Sequence, residues 1–417
     1  MQHQKTAGCS LLRVGALASV ILMSTACSGG GDDGQSDTTH TWWDPYPQHE
    51  ENSDWAQRVQ ACGEAAGVTI ERTAYDTTDL TNQALLAAQE GTSPDVILLD
   101  NPAVPTLAET EMLTTMDEFG LDTSDIDKNL LAAGMVDGEA YGIPIGANTL
   151  AIYYNETILE EAGVDPAQVT DWASLTDALE QITDTDHRGI TFAAIGTEEG
   201  SFQFLPWFWG AGADLRELDS PEALEALELL QGWMDEGYAP NSVLDNSQNT
   251  VWEEFLTGEF AFAVNGTWQV NSAATEADFP TGVITLPGKD GGIAPTPTGG
   301  EFITVPVQGD PERYDVTTQI VECMTTPEGM VETANTFAYY VPPTTEGQEA
   351  LLQENADLEP WVEAVRNAKG RTGDDLGTDY ATISESLWNA LQNTLSGVST
   401  AQEALEAAQA EATEQSN

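Results

Sequence analysis

The chain has 417 residues, 41% of them apolar, with 11 tryptophans, 12 Lys plus Arg and 70 Asp plus Glu, a net charge of −58. That length and apolar content exclude a disordered chain and exceed what one core usually holds, so two lobes are expected. The negative balance excludes nucleic acid and anionic lipid headgroups as partners, because both need cationic side chains to displace their counterions. The acids are spread along the whole chain. This reads as a solvated surface tuned to high salt, where screening cancels self-repulsion, in preference to an acidic pocket for a cation.

Lys5 and Arg13 open a stretch that runs apolar from Val14 to Met23 and stops at Ser24-Thr25-Ala26-Cys27. The run is short for a bilayer span, and small residues precede Cys27, so residues 1–26 read as a cleaved export signal. The segment resembles a bacterial lipoprotein signal, with Ser24 where that motif usually has Leu; Cys27 would then become the first residue and carry lipid. An ordinary cleaved signal with an incidental cysteine is the alternative, and either one places the mature protein outside the cytoplasm. Removing residues 1–26, which hold Lys5 and Arg13 and no acid, leaves 10 minus 70, or −60. Cys9 leaves with the signal and Cys27 is spent on lipid, so Cys62 and Cys323 remain, either as a disulfide or as two buried thiols. No Cys-x-x-Cys occurs and the histidines at 40, 49 and 187 do not cluster, so neither a metal site nor a cofactor is expected.

Residues 27–38 are a polar, Gly-rich tether. Thr39 to Trp43 reads as a first strand, Asp54 to Ala66 as a helix ended by Gly67, and Val68 to Arg72 as a second strand. Asp79 to Gly91 is a helix, and Pro94 to Asn101 a continuous apolar strand of the kind buried on both faces of a parallel sheet. Asp100 and Asn101 stand at its carboxyl end, where open α/β sheets bind ligands. Gly146-Ala147-Asn148 reads as a hinge and Thr149 to Asn155 as a strand. Helices follow at Glu156–Ala162, Ser174–Ile182 and Pro221–Gly237, with strands at Gly189–Ile195 and Phe260–Asn265. Residues 287–300, rich in Gly and Pro, read as a second crossing between lobes. Ile383 to Thr413 is an amphipathic helical pair broken at Ser396-Gly397, its Ala-Glu repeats read as a solvated helix. Repeated βα units make this an α/β chain.

The sequence has no Gly-x-Ser-x-Gly elbow, Walker loop or His-Glu-x-x-His site, and with 70 acids present chance carboxylate pairs are expected, so an enzyme is not the reading. Aromatic residues are dense in predicted loops: Trp42-Trp43, Phe202 through Trp209, and Trp268. Sugar rings present C–H faces and hydroxyl rims, so a sugar site wants flat aromatic platforms beside Asp, Asn, Glu or Arg. Core packing is the alternative for these aromatics, held equal with the cleft for Phe202 to Phe208.

Asp137-Gly138 with Tyr141-Gly142-Ile143-Pro144, Tyr153-Tyr154-Asn155, Ala162-Gly163-Val164-Asp165-Pro166, Asp171-Trp172, Phe255-x-x-Gly258, Asn265-Gly266-Thr267-Trp268, Leu286-Pro287-Gly288 and Gly299-Gly300 follow one another in an order that covers nearly the whole mature chain. In that order and spacing the chain resembles extracellular solute-binding protein family 1, the sugar-binding group related to maltose-binding protein. The resemblance implies a two-lobed periplasmic-binding-protein-like fold of type II, with residues 39–146 plus 299–340 as lobe 1 and 147–298 plus 341–417 as lobe 2. It implies a monomer that closes on a sugar, delivers it to ABC-importer permease subunits, and touches the membrane through its lipid anchor only. Position by position, Trp42, Asp44, Asp100 and Asn101 would serve the first lobe, and Asn148, Tyr154, Trp207, Trp209 and Trp268 the second. Gly300 and Glu301 match a loop that approaches ligand through backbone. Arg371 matches an arginine that reaches sugar hydroxyls, with a surface ion pair to Asp374 or Asp375 as its alternative. A polyamine-binding protein and a membrane-tethered glycoside hydrolase are the competing functions.

Overall fold

The computed structural model describes residues 39–185, 187–336, 340–374 and 376–415; the signal 1–26, the tether and Cys27 lie outside the described residues. The strands in chain order are β1 (Thr39–Asp44), β2 (Thr69–Ala74), β3 (Val96–Asp100), β4 (Met135–Val136), β5 (Glu139–Ala140), β6 (Ile143–Pro144), β7 (Leu150–Asn155), β8 (Arg188–Thr191), β9 (Phe260–Gly266), β10 (Thr281–Ile284) and β11 (Glu301–Thr304). One sheet has the order β2-β1-β3-β11-β6, another β10-β7-β9-β8, and β4-β5 form a hairpin. Helices cover the sheets, giving a two-lobed α/β fold.

The apolar run of β3 explains the first sheet. Val96 and Leu98 face a core shared with Trp55 and Val59 of the Asp54–Ala65 helix and Ile320 of the Tyr314–Thr325 helix, while Ile97 and Leu99 face Leu80, Ala84 and Leu107 on the other side. Successive side chains of a strand alternate between faces, so a strand covered on both sides is apolar throughout. The same alternation divides β7, with Leu150 and Ile152 in one core and Ala151 and Tyr153 in another. Helix ends follow local chemistry: Asn155 accepts from the backbone N–H of Thr157 and Ile158, and Gly163 closes that helix at φ 72°, a conformation in which a side chain would be strained.

Three readings change. The aromatic run expected in a loop lies in a helix, Glu198–Gly210, buried from Gly200 through Trp209. A helix apolar on all sides is a core helix, and this one packs on the helix Asp379–Leu395 and on Pro221–Asp235. Only one face of Ala401–Gln415 is solvated, because Ala401, Ala404, Leu405, Ala408 and Ala412 are buried against Asp379–Leu395. Trp42 is in the core of the first sheet at 0% exposure, and its indole N–H donates to Asp44 Oδ2 at 3.1 Å. Asp44, also at 0%, receives Trp55 Nε1 at 3.0 Å and both Nε and Nη2 of Arg72, at 2.5 and 2.6 Å. Neither Trp42 nor Asp44 reaches a cleft.

A second, partly buried guanidinium acts alike on a buried acid: Arg313 donates to both oxygens of Asp95 at 2.7 Å and to the carbonyl of Thr39 at 2.9 Å. Burial alone would raise the Asp95 pKa, but Arg313 and the Thr41 N–H hold it below the usual carboxylate value. Cys62 and Cys323 are joined in a disulfide with Cα atoms 5.6 Å apart, tying Asp54–Ala65 to Tyr314–Thr325 across 261 positions.

Candidate functional site

Four chain segments lie side by side between the two sheets. Ala147 bridges Val341 and Asn148 bridges Gly299, both antiparallel, and Pro297 bridges Lys369 in parallel. Close approach at this crossing requires glycine: a Cβ on Gly299 would lie 2.0 Å from Asn148 Oδ1, and Gly300 has φ 102° with the carbonyl of Gly146 2.8 Å from where its Cβ would be.

A cavity of about 420 Å³ opens above the crossing, lined by Asp100, Asn148, Glu198, Glu199, Phe202, Gln248, Asn249, Trp268, Gly299, Gly300, Glu301 and Arg371. Of the residues carried over from sequence, Asp100, Asn148, Trp268, Gly300, Glu301 and Arg371 meet here. Asp100 and Glu301 come from the ends of β3 and β11, which pair antiparallel with the two residues directly opposite. Glu198 and Gln248 are the first residues of the helices Glu198–Gly210 and Gln248–Leu256. One wall is thus made of strand ends and the other of helix starts. Trp268 follows β9 in a short 3-10 turn, its ring lying over Gly266, where a Cβ would be 2.0 Å from Cζ3. Its ring centre is 6.4 Å from that of Phe202 at a 49° tilt.

Arg371 joins the two walls. It donates through Nη1 to Glu198 Oε1 at 2.7 Å, through Nη2 to Asp100 Oδ1 at 3.3 Å and through Nε to the Thr298 carbonyl at 3.2 Å, with its guanidinium 5.1 Å from the centre of the Phe202 ring. The surface pair with Asp374 is therefore not its role; Lys369 takes Asp374 at 2.9 Å, and Asp375 is outside the described residues. Burial opposes the Arg371 charge, yet Asp100 and Glu198 raise its pKa further, so the guanidinium stays charged. Burial raises the Asp100 pKa, with Arg371 opposing and Glu198 adding. Glu301 Oε2 accepts the hydroxyls of Tyr46 and Tyr340, the latter at 3.1 Å.

The other carried-over residues lie elsewhere, each for a local reason. Asn101 is 2% exposed and donates through Nδ2 to the Thr298 carbonyl at 3.0 Å, so it fastens β3 to the crossing. Tyr154 lies over Gly282 of β10, beside Glu156 and Asp165, and does not line the cavity. Trp207 packs edge-on to Trp233, ring centres 5.1 Å apart, and Trp209 carries the Lys369 ammonium 5.5 Å from its ring centre; both are core residues. Sequence reasoning missed Glu198, Glu199, Gln248 and Asn249. The adjacent acids Glu198 and Glu199 were a readable sign of a helix start, where the dipole favours negative charge.

This geometry offers an aromatic face beside carboxylates and amides from two walls, a surface made for binding. Residues 57–360 match the family model of bacterial extracellular solute-binding proteins. The chain belongs to this family. Among related solute-binding proteins, the maltotriose-binding protein of Pyrococcus abyssi is 28% identical over 236 residues, 53% of this chain and 49% of the relative. The maltooligosaccharide ABC transporter solute-binding lipoprotein of Streptococcus pneumoniae is 23% identical over 241 residues, 55% of each chain. The chain spans about half the length of these curated relatives. The crystal structure of the cyclic alpha-maltosyl-1,6-maltose binding protein from Arthrobacter globiformis superposes with a TM-score of 0.78 at 23% identity, covering 90% of this chain and 98% of the other, and shares its fold.

Proposed function

We propose that this chain captures a sugar, mono- or oligosaccharide, between two lobes and hands it to the permease of an ABC importer without converting it. The observation that carries this reading is the cavity itself, which Trp268 lines together with Asp100, Asn148 and Glu301, groups that can bond hydroxyls on the rim of a sugar ring. The names of the two relatives support a saccharide as solute. In this reading residues 39–146 plus 299–340 form one lobe and 147–298 plus 341–417 the other, and closure is a population shift driven by solute that contacts both. Lipid on Cys27 would hold the protein outside the cell membrane beside its importer, and the acid excess suits a high-salt habitat. The carboxylates Asp100, Glu198, Glu199 and Glu301 favour a cationic solute such as a polyamine as the second reading.

Thermal shift separates the two. Ligand bound to the native state stabilises it by about 2.7 kcal/mol at a hundredfold excess over Kd, so maltotriose or maltotetraose should raise the melting temperature while spermidine does not. A response to spermidine alone would sink the sugar reading, and maltotetraose cleaved on incubation would restore the glycosidase. Trp268→Ala should weaken saccharide binding by roughly thirtyfold or more, the scale of losing a buried aromatic anchor. Titration calorimetry giving an unchanged Kd would remove Trp268 from the site.

A further inference from the structure

Asp100 and Glu301 are paired directly across β3 and β11. Residues so paired point to one face of the sheet within roughly 5 Å, and like charges there repel. The two acids do not share one fate. Asp100 has the Arg371 guanidinium and the backbone N–H of Asn101. Glu301 has two phenol hydroxyls, from Tyr46 and Tyr340, on the same oxygen, and its nearest charges are negative. Asp44 lies beyond Tyr46 with its charge taken by Arg72, and Glu198 on the facing wall shares Arg371 with Asp100. The Asn148 side chain approaches Tyr340 and brings no charge. The proton of this acid pair therefore belongs on Glu301. Burial first, then the Asp100 charge, push its pKa up to about 8, although both tyrosine hydroxyls favour the ionised form.

Resting on the reading of this cleft as the solute site, we propose that Glu301 keeps a proton when an oligosaccharide is captured, so that binding takes up protons and weakens in alkaline solution. Solute entering the cavity displaces water from Glu301 and leaves Asp100 as its charged neighbour across the strand pair. Loss of water disfavours the ionised carboxylate, so the bound form holds its proton more tightly than the free form. By linkage, a proton held more tightly with solute is a solute held more tightly with the proton. With Oε2 occupied by two donors, the proton lies on Oε1, and Glu301 becomes a hydrogen-bond donor in a cavity otherwise rich in acceptors.

The test is titration calorimetry of the full chain with maltotriose from pH 6 to 9, in buffers of different ionisation enthalpy. Expected are an affinity about tenfold lower at pH 9 than at pH 7 and uptake of about half a proton at pH 8. Affinity that is flat with pH, with heats independent of buffer, overturns the coupling. Glu301→Gln should abolish the pH slope whatever its absolute affinity, and a slope that persists in E301Q assigns the proton elsewhere. If that variant does not fold, the buffer-dependent heat of the wild type decides alone. Absence of maltotriose binding at every pH overturns the saccharide reading itself and is distinct from sugar bound without a slope. Spermidine bound more tightly as pH rises, with proton release, would replace the sugar by a cation that prefers ionised Glu301.

Discussion

Replacing Arg72 with alanine is expected to lower folding stability by about 3–5 kcal/mol, the range for removing one partner of a buried ion pair. Asp44 is at 0% exposure and Arg72 at 12%, so without Arg72 the Asp44 carboxylate would be left inside the protein with no cation beside it. Arg72 also donates to the carbonyls of Tyr46 and His49, which fixes the loop after β1. The indole N–H groups of Trp42 and Trp55 would remain on Asp44, but two neutral donors do not replace a bidentate cation. Arg72→Lys should fall between wild type and Arg72→Ala, because an ammonium keeps the charge and loses the fork. Denaturant unfolding measures all three. A loss below about 1 kcal/mol for Arg72→Ala would mean that water reaches Asp44 and that the surrounding core is looser than described.

Cys62→Ser is the second large effect, expected to lower stability by about 2–5 kcal/mol. The bond closes a 261-residue loop, so the unfolded chain gains much conformational freedom when it is cut. Its two helices also pack directly on one another, which should keep the reduced protein folded near room temperature. Dithiothreitol should lower the melting temperature of the wild type to that of Cys62→Ser and leave the variant unchanged. Equal stability of the oxidised wild type and the variant would show that the cross-link adds nothing to a packing already complete.

β3 was legible in sequence because burial on both faces leaves an unbroken apolar run, and Asp100 was legible as the polar residue at its end, whereas its neighbour β11 carries no such run and was not read as a strand. Trp42 and Asp44 were misread for a reason that lies in register. Arg72 stands opposite Trp42 on β2, and only that pairing turns Asp44 from an open strand-end acid into half of an internal ion pair. The Phe202 to Trp209 run shows another limit, since aromatic density marks a core helix as readily as a sugar platform. The facing wall was hidden because its residues come from the first turns of helices far apart in the chain, Glu198 and Gln248, which nothing local connects. Arg371 was singled out in the sequence and does line the cavity, but its three donor groups are spent on protein acceptors, a fact carried by folding and not by spacing.

Arg72, Arg313 and Arg371 each tie together segments that the chain visits far apart, and each is largely shielded from water, whereas most of the acids among the described residues belong to no such pair. Dissolved ions at molar concentration shorten the reach of exposed charges to about 3 Å and leave buried pairs largely untouched. Brine should therefore relieve the crowding of negative charge on the outside while leaving the inner fastenings closed, and dilution should do the reverse, straining the shell against joints that do not loosen.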